Sequence, residues 1–311
     1  MSKEKFIAVG HITNDLRPQS HLGGAVSYSA VTAARLGLEA HVVTKCPVGH
    51  PYINTLENLN VEVHNLPSSS DTITTFDNKY GTQEKRTQIV SQIQESISQR
   101  DQKNMPWSIF KNAIVLIAPV TPFDVSLGLF SDLAKYKNIN VAAQGYFRRI
   151  NRNGVVIQDE SSDFNEPYLK AKSIILSDED ISVGNLNKIK SPLVVLTQGA
   201  KGVTVYEKGE KILSAEAFSL AKEELVDFTG AGDVFATIFI VEMAKNGGDI
   251  KSATVAACLF AAMKITAMGG IGMDSIPSQK QTKDFFEKHE KQVRTYLKNQ
   301  NSKYPQFLKR N

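Results

Sequence analysis

Short apolar runs rich in β-branched residues recur at 6–9, 41–44, 113–118, 139–143, 173–176 and 193–197. Runs of this length without polar alternation predict strands covered on both faces. Between them lie stretches with helical spacing, notably 25–36 and 122–136. Gly37 stops the first, while Thr121 is placed to cap the second and Pro122 to enter its first turn. Strands alternating with helices predict a parallel sheet between two helical layers. After Thr197 the pattern changes to a short antiparallel pair, 203–207 and 211–213, around Lys208-Gly209. Two largely apolar helices follow at 233–245, stopped by Gly247 and Gly248, and 251–268.

One region breaks the alternation. Residues 72–80 and 84–91 flank Gly81-Thr82 and predict a polar hairpin. Neither strand has a consistent apolar face, so the hairpin is expected to project from the core. Residues 92–104 are strongly polar and predict a mobile or lightly packed connection. No internal repeat and no linker rich in Pro, Gly or Ser divides the chain. A single domain over 1–311 is therefore expected, with a small lid from about 72–91.

Composition narrows the class. With 311 residues, 41% hydrophobic and 22% charged, the chain can bury a large core. The net charge of +4 is small, and no basic block is interleaved with aromatics, so nucleic acid is not an expected partner. The basic tail at 297–311 reads as a solvated chain end. Cys46 and Cys258 are the only cysteines, and their apolar surroundings predict buried thiols rather than a disulfide. The longest apolar stretch, 253–263, is too short to span a membrane, and the first residues are too short for a signal peptide. A cytoplasmic protein is expected.

The chemistry concentrates in Asp227-Phe228-Thr229-Gly230-Ala231-Gly232-Asp233, which runs into the apolar helix pattern. Small residues at 230, 231 and 232 let backbone N–H groups crowd together at the first turn. Those donors lack intrahelical partners, and the helix dipole adds positive charge there. The result is an anion site suited to phosphate. An aspartate at 233, inside that site, makes sense where a hydroxyl must lose its proton as a phosphoryl group arrives.

This segment resembles the DxxGAGD signature of the PfkB, or ribokinase-like, family of sugar and nucleoside kinases. The resemblance implies a three-layer α/β/α sandwich with a mostly parallel central sheet and a small, reduced β lid. It implies transfer of the γ-phosphoryl of ATP to an alcohol, with Asp233 as catalytic base and the Gly230, Ala231 and Gly232 amides holding the transferring charge. Asp227 is expected to fix this loop or a nearby monovalent cation rather than move a proton. The family's acceptor signature is matched by Asn14-Asp15 followed by Gly23-Gly24 and a helix. Asp15 is suited to accept two hydrogen bonds from a vicinal diol. Ribokinases carry Lys and Asn where this chain has Ala25 and Tyr28, and they insert lid strands between the positions of Asp15 and Gly23. The branch that resembles inositol kinases is therefore expected, with cyclic polyols ahead of ribose and nucleosides third.

Three weaker matches complete the resemblance. Thr197, Gly199 and Gly202 fit the family's T-x-G-x-x-G, which lies along the nucleotide. Ser177-Asp178-Glu179-Asp180 is a degraded N-x-x-E motif, which orders Mg²⁺ through water; Asp180 is its expected carboxylate, with Glu179 as competitor. Gln144 follows a strand end and is expected to bind a substrate hydroxyl, and Arg148 could offset phosphate charge. Gly269-Gly270-Ile271-Gly272 falls near the family's nucleotide and monovalent-cation loops. The partners implied are ATP and a small-molecule alcohol, with the protein a monomer or homodimer.

Other chemistries lack their residues. No Gly-Lys pair allows a Walker A loop, the six histidines show no zinc spacing, and no G-x-S-x-G elbow occurs. An oxidoreductase or methyltransferase would need a Gly-rich first turn after 6–9, where only Gly10 stands. A non-catalytic regulator of the same fold remains the other alternative.

Overall fold

The computed structural model describes residues 3–16, 19–80, 86–133, 135–159, 171–266 and 272–302. The Gly81-Thr82 turn, the tail beyond 302 and most of the 269–272 glycine run lie outside the described residues. So do the last residues expected in the second apolar helix.

The strand signals fold into a nine-stranded sheet, joined there by a strand at Val61–Asn65 that gave no such signal. Its parallel part comprises β1 (Lys5–Val9), β4 (Glu39–Thr44), β5 (Val61–Asn65), β8 (Ile114–Ile117), β9 (Ile139–Ala142), β12 (Ser173–Ser177) and β13 (Leu193–Thr197). An antiparallel edge is added by β14 (Val203–Glu207) and β15 (Glu210–Ala215), joined at Lys208-Gly209. The spatial order is β15-β14-β13-β12-β9-β8-β1-β4-β5. The pleat sends alternate residues into two separate cores. Phe6, Ala8 and Val42 join one with α1 (Ala25–Arg35), α4 (Ala231–Lys245) and α5 (Ile250–Ile265). Ile7, Val9 and Val43 join the other with α3 (Leu127–Leu133). Two cores on one sheet make the three-layer α/β/α sandwich.

Helix ends follow local chemistry. At the end of α1, Gly37 adopts φ 83 while its amide donates to the Ala34 carbonyl and that of Leu38 to Ala33, closing the last turn. The helix expected at 122–136 starts later, as α3. Asp124 accepts hydrogen bonds from the Val120 and Thr121 amides and from the Thr121 hydroxyl, which holds 120–124 in a turn that cannot become helix. Ser126, whose Oγ accepts from the Leu129 amide, takes the place expected for Thr121. Further elements gave no strong sequence signal: α2 (Pro51–Asn58), α6 (Gln279–Lys288) and α7 (Glu290–Asn299). Among the described residues no helix is long and apolar enough to cross a membrane.

A second sheet has the order β3-β2-β6-β7, from β2 (Thr13–Asp15), β3 (His21–Gly23), β6 (Thr74–Tyr80) and β7 (Arg86–Gln92). The expected hairpin is thus half of a larger lid. It does not stand clear of the core: Phe76 and Val90 pack into the α1 side, and Thr74, Thr75 and Asn78 are buried. The 92–104 connection is likewise better packed than its polarity suggests. Ile97 is fully buried, and Asp101, itself buried, pairs with Lys45 at 3.1 Å. Polar side chains with internal partners can be buried at little cost, which defeats a polarity-based reading.

Candidate functional site

The carboxyl ends of β9, β12 and β13, the start of α4 and the lid enclose a cavity of about 180 Å³. This is where open α/β sheets place ligands.

Its floor is the start of α4. Gly230 caps the helix in the left-handed conformation, φ 78, and a Cβ there would overlap the Tyr28 ring from α1. Only glycine meets both conditions. Gly232 and Asp233 line the cavity from the first helical turn, and a Cβ on Gly232 would enter open space. The loop before the helix is tied down by Asp227. Its Oδ1 accepts from the Thr229 amide at 2.9 Å, and its Oδ2 accepts from Lys264 Nζ at 2.8 Å. Lys264, in the last turn of the otherwise apolar α5, is fully buried. Burial alone would raise the Asp227 carboxyl, but the hydrogen bond and charge of Lys264 outweigh it, and the group titrates below the ordinary aspartate range. Burial depresses Lys264, against the opposing pull of Asp227 and Asp233. Removing one partner of such a pair costs about 3–5 kcal/mol.

The opposite wall comes from the lid strands. The β2 pleat turns Thr13 and Asp15 into the cavity, with the Thr13 hydroxyl donating to Asp15 Oδ1 at 3.0 Å. Asn14 faces the other way, accepting from the Tyr52 hydroxyl at 2.7 Å and from Ser20 at 3.2 Å. Unlike Asp15, it does not line the cavity. Gly23 lies under the Asp15 carboxylate, where a side chain would collide with it, and Gly24, at φ 94, opens α1 on the cavity wall.

Gln144 and Arg148 close the third side. Arg148 donates to the Val120 carbonyl at 3.0 Å and to Gln88 Oε1 at 2.9 Å; Gln88 in turn donates to Asn78 Oδ1 at 2.8 Å. This chain of bonds ties the lid to the main sheet. Arg148→Met should loosen β6 and β7 and raise their amide exchange rates by about tenfold, the scale of one charge-assisted hydrogen bond. Exchange unchanged across 74–92 would refute the tie.

On the remaining side, Ser177, Asp180 and Thr197 line the cavity at strand ends. Asp180 Oδ2 accepts from the Ser177 amide and hydroxyl, both at 2.8 Å. Glu179 is exposed and outside the cavity, so of the two acids only Asp180 lines it. Gly199, at φ 53, faces open space, whereas Gly202, at φ 96, lies against the chain at Ala215. Neither lines the cavity.

Residues 178–277 match the pfkB family carbohydrate kinase profile. The fold is ribokinase-like. A sugar kinase from Pyrococcus horikoshii, in complex with ATP, superposes at TM-score 0.69 with 19% identity, over 94% of this chain and 100% of its own. A pyrophosphate-dependent kinase of the ribokinase family, bound to a pyrophosphate analogue and myo-inositol, gives 0.70 and 21%, over 87% and 98%. Ribokinase from Giardia lamblia gives 0.71 and 15%, over 92% and 99%. Adenosine kinase of Schizosaccharomyces pombe is 39% identical over 67 residues, and the match spans 22% of this chain and only 19% of that enzyme.

Sequence reading missed several cavity residues of this ribokinase-like chain. Thr13, Asn78 and Gln88 belong to short or polar strands without a periodic signal. Lys264 was the one visible clue left unused: a lysine inside an otherwise apolar helix face demands a buried partner. Sequence spacing also hid a cluster of His41, Glu62 and His64 on the β4–β5 edge. Strand register sets His41 opposite Glu62, and His41 Nδ1 meets His64 Nε2 at 3.2 Å. None of the three lines the cavity.

Proposed function

We propose that this protein is an ATP-dependent kinase that phosphorylates a hydroxyl of a sugar or polyol, with cyclic polyols as the first expectation. The observation that carries this reading is one cavity with two chemistries. An anion-binding helix start with Asp233 lies on one side, and a diol-suited carboxylate, Asp15, with amide and guanidinium donors lies on the other. Asp233 accepts the proton of the acceptor hydroxyl while its oxygen forms a bond to the γ-phosphorus and the bond to the leaving diphosphate breaks. The amides at 230–233 offset charge on the transferring oxygens. A loose transition state asks little of the base until late, so positioning and electrostatics supply most of the rate.

Thr197, Gly199 and Gly202 are assigned to the nucleotide side, at the carboxyl end of β13. Bound Mg²⁺ would supply further charge neutralisation at the donor phosphates. Asp180, a buried hard-oxygen donor on the cavity wall, fits the task of ordering its waters. Residues 1–311 form one kinase unit in this reading, and the β3-β2-β6-β7 sheet is its lid.

The test is phosphoryl transfer against a panel of cyclic polyols, sugars and nucleosides, with ATP and pyrophosphate each supplied as donor. Transfer to a polyol or sugar from ATP is expected. Transfer to nucleosides alone would overturn the acceptor, and no transfer to any of them would favour a non-catalytic regulator. Asp15→Ala should raise the acceptor KM by about 10- to 100-fold and leave the ATP KM unchanged, because unpaired substrate hydroxyls remain in the site. Unchanged acceptor kinetics would remove Asp15 from recognition.

A further inference from the structure

The Asp227 loop was expected either to hold itself in place or to bind a monovalent cation. In the structure an ammonium takes up two oxygens of Asp227 that such an ion could use. Lys264 Nζ donates to Asp227 Oδ2 at 2.8 Å and to the Asp227 carbonyl at 3.0 Å. The side chain is fully buried and its ammonium lies 5.8 Å from the centre of the Tyr28 ring, the ring packed on Gly230. The end of α5 adds a second tie, since the Ile265 carbonyl accepts from the Val226 and Asp227 amides at 2.9 and 3.3 Å. One positive charge is therefore enclosed by a carboxylate, a carbonyl and an aromatic face, against the loop that opens onto the phosphoryl site.

Ammonium and potassium ions are similar in size and accept the same oxygen environment. A buried pair kept for stability alone has little advantage over well-packed apolar residues. A fixed cation beside an anion-binding loop does have one, because it adds positive potential where charge develops and needs no ion from solution. We propose that the Lys264 ammonium is a built-in monovalent cation, which holds the 227–233 loop in its anion-binding shape and frees phosphoryl transfer from any need for K⁺. Lys264 acts here as a positioning residue, through Asp227. The inference rests on the kinase reading above.

The experiment compares chloride salts of potassium, sodium, ammonium and tetramethylammonium at one ionic strength, reading both kcat and Tm. The wild-type protein should give the same kcat and Tm in all four. Lys264→Ala opens a cation-sized space beside Asp227. In tetramethylammonium its kcat should fall by about 100-fold, the scale of a lost anion-hole donor, with the acceptor KM little changed. Potassium or ammonium should restore most of that loss and raise the variant's Tm, because an ion that binds only the folded state stabilises it. Lys264→Met, which fills the space, should respond to neither. Lys264→Arg keeps the charge and should remain independent of the salt, which serves as a further arm should the alanine variant fold in none of them. Potassium-dependent wild-type activity, an unimpaired alanine variant, or loss of activity in Lys264→Ala that no cation restores would each overturn the inference. So would an arginine variant that needs potassium. If the wild type transfers no phosphoryl group in any salt, the kinase reading fails instead, and the Tm comparison still decides whether Lys264 replaces an ion.

Discussion

Asp233→Asn is expected to fold and bind ATP normally but to lose phosphoryl transfer by about two to four orders of magnitude, the range for acid–base groups. The substitution keeps the shape of the side chain and removes its basicity. Asp233 belongs to the first turn of α4, where its carbonyl accepts from the Thr237 hydroxyl at 2.9 Å, a main-chain contact the change leaves intact. Circular dichroism should thus be unchanged while kcat collapses. A kcat near that of the wild type would remove Asp233 from the reaction.

Substitution of the glycines on either side of Ala231 should also abolish activity, by two routes that can be told apart. Gly230→Ala forces a side chain into the left-handed region, at a cost of roughly 1–2 kcal/mol, and drives its Cβ into the Tyr28 ring. The loop must shift, so both Tm and kcat should fall, the latter by about 10²–10³, as for a lost anion-hole donor. A Cβ at Gly232 would enter open space, so the Tm of Gly232→Val should stay closer to wild type. Its branched side chain occupies the cavity, and turnover should be lost because the phosphoryl group cannot approach the amides. Normal turnover by purified Gly232→Val would mean that the anion site lies elsewhere.

Legibility followed the range of the interactions. The run from Asp227 to Asp233 is contiguous, and its conformation depends on glycines that can be read one by one. The six apolar strands and the α1, α4 and α5 helices were equally plain, since burial on both faces leaves a dense local signal. Pairing was not plain. Nothing in three-residue segments such as Thr13–Asp15 and His21–Gly23 announces a strand, because their order comes from β6, about sixty residues on. The opposite facing of Asn14 and Asp15 is hidden for the same reason: without strand assignment there is no pleat, and without a pleat neighbouring residues share a face. Pro122 misled because a proline suits both a first helical turn and a loop, and Asp124 decides between them only in three dimensions.

The pfkB match covers Asp180, Thr197, Asp227, Asp233 and Lys264, yet contains none of the cavity residues supplied by β2, β6 or β7. In the proposed kinase, chemistry and recognition would thus occupy different stretches of chain that meet only across the cleft. Mutations in 13–24 and 74–92 can remodel what is held without disturbing the groups that act on it. On that reading the architecture is modular: one reaction engine could be refitted with new acceptor grips, and a chimaera exchanging those two segments is the natural way to retarget it.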